Sequence, residues 1–168
     1  MEAAAYPKSR KVRYANSVIG IPVDGKLIQT AVLWHSSSFK NVILIAPTDQ
    51  SEDLDSDSKM LGEPLGLFFT GAQIIRAGHW KFQGPAKFDV PTEVITFECA
   101  QTIYCGDEPI RATTSSDRAM ELLVFGGVAV TNAVSDILSG NYDSQNHRIA
   151  QRIVAAHLMG LLSNSSRN

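Results

Sequence analysis

Cysteine is scarce in this chain: two in 168 residues, with no Cys-x-x-Cys pair, which argues against zinc held by thiolates. Cys99 and Cys105 flank a short hairpin or its neighbouring strands. They read as free thiols in a reducing cytosol rather than as a disulfide. Charge is sparse too, at 19% charged residues and a net charge of −2. That balance supplies no electrostatic pull toward nucleic acid. No apolar run approaches the ~18 residues a membrane-crossing helix needs, so no membrane partner is expected. There is no G-x-G-x-x-G, no Walker A sequence, no G-x-S-x-G and no H-E-x-x-H. Nucleotide-cradling and serine- or zinc-hydrolase signatures are therefore missing, and no cofactor and no metal are expected. The histidines, His35, His79, His147 and His157, never fall two or four residues apart, so none shares a helix or strand face with another. The first residues carry Glu2 and no apolar core, unlike a secretory leader, which leaves the cytoplasm as the expected compartment.

What the chain does have is apolar material, 44% of its residues, enough for one domain with a real core. The density peaks over residues 64–85, PLGLFFTGAQIIRAGHWKFQGP. Leu65 to Phe69 has the look of a buried strand. Thr70 is placed to cap a short helix that Gly78 ends. His79-Trp80-Lys81-Phe82-Gln83 alternates as a half-buried strand does, and Gly84-Pro85 stops it.

Around this hub the pattern is strands first and helices last. Val18, Ile19, Ile21 and Val23 mark one strand, with Pro22 pointing to an edge or a bulge. Asp24-Gly25 suits a type I′ hairpin turn, because both of its central residues need positive φ. A return strand follows to Trp34, then a Ser36-Ser37-Ser38 turn. A third strand contains Val42-Ile43-Leu44-Ile45, apolar on both faces and so central. Short strands are expected around Val94 to Phe97, Thr102 to Tyr104 and Ile110 to Ala112. From Ser115 or Ser116 the period changes to helical, through Ala119, Met120, Leu122, Leu123 and Phe125. A second helix runs over 128–138, closed by Gly140, and a third over about 145–162. The expected fold is α+β, an N-terminal twisted antiparallel sheet or small barrel followed by C-terminal helices. Its divisions are a polar lead-in (1–16), a single domain (17–140), and a C-terminal helix with a polar tail (141–168). That last helix packs on the body or on a second copy, so a homo-oligomer through it is one expectation.

Candidate functional residues fall in two groups. Residues 47–62 read as an acidic loop holding Glu52, Asp53, Asp55 and Asp57. An EF-type calcium loop starting at Asp53 would place Ser58 where glycine belongs and Pro64 where the bidentate glutamate belongs, so calcium is rejected. What remains is a solvated loop or an anionic patch for a basic partner. The second group is His79, Cys99 and Cys105, weak candidates for nucleophile or base chemistry. A structural role is the preferred reading of His79, and no surrounding motif supports either cysteine as a nucleophile.

Four short motifs in order, Ile19 to Gly25 (IGIPVDG), Leu65 to Phe69, Gly78 to Gly84 (GHWKFQG) and Ile110-Arg111-Ala112-Thr113, resemble the immunity protein 26 family, also labelled phosphotriesterase HocA. The resemblance covers roughly residues 10 to 138. It departs at Ala112, where the family commonly has proline, and in the helix beyond Gly140. Such a resemblance implies an immunity protein that binds and neutralises a cognate toxin in bacterial polymorphic toxin systems. The alternative it implies is a small phosphotriesterase, a hydrolase of organophosphate triesters. It assigns no catalytic residue.

Overall fold

A computed structural model describes residues 13–39, 41–90, 92–115, 122 and 124–140. The third helix expected over 145–162 lies outside the described residues, as does most of the helix expected from Ala119.

The described chain is mainly β, within a broadly α+β plan. Its strands are β1 (Ser17–Val23), β2 (Lys26–His35), β3 (Val42–Asp53), β4 (Phe68–Gly71), β5 (Lys81–Pro85), β6 (Thr96–Cys99), β7 (Thr102–Cys105), β8 (Glu108–Ala112) and β9 (Val124–Phe125). Helix α1 (Gln73–Arg76) is a single turn, and α2 (Gly127–Ser139) is the one long helix among the described residues. One sheet has the order β5-β1-β2-β3-β4-β9 and the other β6-β7-β8. The larger sheet is open, not a barrel, with β5 and β9 at its edges. It is also mixed, because β9 runs parallel to β4.

The two-residue alternation of a strand explains the layering. On one face of the large sheet Ile19, Ile21, Ile28, Val32, Ile43, Ile45 and Phe68 meet Trp80, Ile75 and, from α2, Val130, Ala133 and Val134. On the other face Ala31, Leu33, Leu44, Ala46 and Phe69 meet Val94 and Phe97 at the small sheet. The continuous apolar run of β3 follows from this, since its residues are covered on both sides. Each fully buried Ile or Leu there stabilises the fold by about 1.5–3 kcal/mol.

Local chemistry sets the turns. Asp24 and Gly25 have φ of 50° and 79°, which makes the expected tight hairpin with Val23 opposite Lys26. Strand β1 outlasts β5 by three residues, Ile21 to Val23, so Pro22 leaves no ladder bond to β5 unmade. Gly78 (φ 81°) ends α1 and Gly140 (φ 82°) ends α2.

Several expectations move. Thr70 lies in β4 and donates its hydroxyl to the Phe125 carbonyl at 2.7 Å, while Ala72 precedes α1 without a side-chain cap. Phe125 closes a short strand instead of a helix. The polar lead-in stops short of Tyr14, which is fully buried in the core. The two residues of the β6–β7 turn, Ala100 and Gln101, have φ of 51° and 66°, a left-handed pair built without glycine or asparagine.

Candidate functional site

The acidic segment begins inside the sheet. Strand β3 continues through Glu52 to Asp53, so the loop expected over 47–62 starts seven residues late. The cause is a bulge against β2. Ile28 pairs with Ser51 and Thr30 with Pro47, leaving Gln29 opposite Thr48, Asp49 and Gln50. Extra residues on one strand bend it and raise its twist.

Thr48 organises the bend. Its hydroxyl donates to the Gln29 carbonyl at 2.7 Å and accepts from the backbone N–H of Gly62 at 3.0 Å. Asp49 and Glu63 then bond back to each other, through the Asp49 N–H to the Glu63 carbonyl (2.9 Å) and the Glu63 N–H to Asp49 Oδ1 (2.8 Å). Residues 54–63 therefore form an arm that leaves β3 and returns beside it. A side chain at Gly62 would collide with the Asp49 carboxylate and come within 2.9 Å of the Gln50 backbone nitrogen, so this crossing needs glycine.

Three side chains fasten the arm down. Gln29 is fully buried, and its Nε2 donates to the carbonyls of Ser58 (2.7 Å) and Met60 (3.1 Å). Its Oε1 accepts from Gln83 Nε2 at 3.1 Å. Lys81 Nζ donates to the Ser56 carbonyl at 2.7 Å, and Lys59 Nζ reaches back to the Pro85 carbonyl at 2.9 Å. The arm is a fixed ledge rather than a solvated loop. Bonds to a buried amide and a largely buried ammonium hold its backbone.

The four carboxylates differ in setting. Asp53 is paired with Lys26 at 2.7 Å, and that hydrogen bond, with the attraction between the charges, lowers Asp53 and raises Lys26. Both groups are exposed, so salt screens the pair. Asp57 stands 3.7 Å from Lys81 with its own side chain almost wholly in water. Glu52 accepts from Gln50 Nε2 at 2.8 Å, and Asp55 is exposed. Two large apolar side chains are exposed on the same segment, Leu54 (52%) between Asp53 and Asp55 in the chain and Met60 (59%) three residues past Asp57. Neither was singled out in the sequence, where Leu54 is flanked by aspartates and looks incidental.

The other candidates do not converge. His79 is exposed just past α1. Cys99 and Cys105 are free, half-buried thiols at opposite ends of the β6–β7 ladder, where Thr96 faces Cys105 and Cys99 faces Thr102. Among the described residues no three His, Cys, Asp or Glu side chains are grouped to hold a metal ion. No helix among them is long and apolar enough to cross a membrane.

A second polar cluster was missed because its members are far apart in sequence. Asp107, in the turn between β7 and β8, accepts from the Ser36 hydroxyl, from Ser37 through both N–H and hydroxyl (2.8 Å each), and from the Ser38 N–H (3.2 Å). Burial alone would raise its pKa, but these serine donors together outweigh it and hold it below the usual carboxylate value. The small sheet is thereby tied to the end of β2. His35, next to this tie, is 7% exposed, and its Nδ1 accepts the Tyr14 N–H at 2.9 Å.

Comparison with protein-family models, with curated proteins and with solved structures finds no match. The four motifs that carry the family resemblance map to β1 and its turn, the entry to β4, the approach to β5 with that strand, and β8.

Proposed function

We propose that the chain is a protein-binding module, an immunity protein that neutralises a cognate bacterial toxin, and that the ledge over residues 53–60 meets the partner. One observation carries the reading. Leu54 and Met60 stand exposed on the same segment as Asp53, Asp55 and Asp57, on a backbone fastened by Gln29 and Lys81. A pre-ordered ledge loses little conformational entropy on binding, and exposed apolar anchors on a segment rich in carboxylates suit the core-and-rim composition of protein interfaces. Carboxylates at the rim speed the capture of a basic partner more than they tighten the complex.

The test is co-expression with the product of the neighbouring gene, followed by pull-down. The wild-type chain rescues growth and co-purifies. Charge reversal at Asp53, Asp55 and Asp57 slows association, and Leu54→Ser with Met60→Ser weakens it further. Unchanged inhibition by the combined variant would remove the ledge from the account. The hydrolase alternative has no comparable observation behind it, because its three candidate residues lie apart. Turnover of a chromogenic phosphotriester by the purified chain would reinstate it.

A further inference from the structure

Just before β1 a backbone N–H is bonded onto a buried histidine. Tyr14 precedes β1, yet it is fully buried, and its N–H donates to His35 Nδ1. The Tyr14 ring lies flat on the imidazole, with centroids 5.8 Å apart and planes 7° from parallel. A neutral imidazole accepting at Nδ1 carries its proton on Nε2. That atom is buried, with no hydrogen-bond partner among the described residues. The next proton must therefore go to Nδ1, the atom that receives the Tyr14 N–H. An imidazolium has no acceptor, so the second proton and the Tyr14 bond exclude each other.

The charged surroundings act in the same direction. From the N-terminal segment Arg13 donates to the Ser36 carbonyl at 2.8 Å, and from α1 the Arg76 guanidinium sits 5.5 Å from the Tyr14 ring centre. Burial first, then the charges of Arg13 and Arg76, push His35 down to about 4. Only Asp107, from the β7–β8 turn, pulls it back, and that carboxylate is already occupied by Ser36, Ser37 and Ser38. The Tyr14 hydroxyl is raised by burial and stays neutral throughout.

We propose that His35 and residues 13–16 form an acid-loosened latch: protonation of the imidazole breaks the Tyr14 N–H bond and lets the segment open locally at the end of β2. Other bonds tether the segment without depending on the His35 proton: the Ser17 hydroxyl donates to the Tyr14 carbonyl, Arg76 hydrogen-bonds the Tyr14 side chain, and the Phe88 N–H donates to Asn16 Oδ1 at 3.3 Å. Asn16 holds β2 through its N–H to the Val32 carbonyl, and its carbonyl accepts from Ala86. Release uncovers the Phe82 ring, whose centroid lies 6.2 Å from that of Tyr14.

Amide hydrogen exchange at pH 7.5 and pH 5.0, corrected for intrinsic rates, tests this. With His35 titrating near 6.5 when released and about 4 when latched, the Tyr14 protection factor falls about 30-fold between these conditions. Amides of Ile43 and Ile45 in the sheet centre, which exchange only by global unfolding, stay far better protected than Tyr14 at both pH values. In His35→Asn the Oδ1 can still accept the Tyr14 N–H but takes no proton, so protection becomes independent of pH. A Tyr14 amide that stays protected at pH 5.0 overturns the latch. So does a Tyr14 protection factor equal to those of Ile43 and Ile45 at both pH values, which would mean that Tyr14 opens only by global unfolding. If the variant does not fold, the wild-type His35 ring signal decides: titration near 6.5 with Tyr14 still protected also overturns the proposal.

Discussion

Replacing Gln29 by leucine separates the ledge from the sheet beneath it. Leucine fills nearly the same volume, so the change removes hydrogen bonds and leaves little cavity. Three bonds are lost, two from Nε2 to the Ser58 and Met60 carbonyls and one from Gln83 to Oε1. At about 0.5–1.5 kcal/mol net for each, the upper total is about 4.5 kcal/mol. Met60 is exposed and Ser58 half-exposed, so water can re-satisfy their carbonyls. The expected loss is therefore about 2 kcal/mol. Much of it is local, and it lowers the free energy of ledge opening more than that of global unfolding. Urea denaturation gives the global term, and hydrogen exchange over residues 56–62 gives the local one. The expected result is a modest fall in the urea midpoint and at least a tenfold loss of protection in the ledge. An unchanged midpoint with unchanged ledge protection would show that Gln29 is not the fastener.

Four further outcomes follow from the same contacts. Changing Ala100→Asn and Gln101→Gly relieves left-handed backbone at non-glycine residues and should stabilise the domain by about 1 kcal/mol or more in thermal unfolding. Replacing Asp107 with alanine removes the tie among Ser36, Ser37 and Ser38; it should cost about 2–3 kcal/mol in denaturant titration. Because His35 is pushed down to about 4 and titrates near 6.5 when unfolded, the unfolded chain gains a proton first as pH falls. Stability present at pH 7.5 is thus lost through the window from about 6.5 to 4, by about 2 kcal/mol at pH 5, and His35→Asn should flatten that slope in urea midpoints measured across pH. Substituting Gly62→Ala forces a Cβ toward the Asp49 carboxylate and Gln50 backbone and should destabilise the ledge by about 1–3 kcal/mol, read by the same exchange measurement.

How far the fold could be read from the sequence depends on the range of the interaction involved. The Asp24-Gly25 hairpin, the doubly apolar core of β3 and the glycine stops at Gly78 and Gly140 are local signals, and each has the expected place in the structure. The end of β3 was illegible because Thr48 to Asp53 is polar. Its strand character comes from pairing with β2 across a bulge. The hydroxyl of Thr70 serves a carbonyl 55 residues away instead of the adjacent helix, and no spacing rule reports that. Of the candidate site, the acidic residues were visible. Their anchoring was not, although a lone glutamine in the apolar run Leu27-Ile28-Gln29-Thr30-Ala31-Val32 is a signal, since a buried amide must find partners. Tyr14 was hidden because the lead-in's two aromatics, Tyr6 and Tyr14, stand isolated among basic and polar residues with no apolar period around them.

The ledge is the centre of the account, and a footprint tests it most directly. Hydrogen exchange of the chain alone and saturated with the neighbouring gene's product should show new protection over residues 53–60 and none in β8, at the opposite sheet's edge. Protection confined to β8 or to α2, with residues 53–60 unchanged, would contradict it.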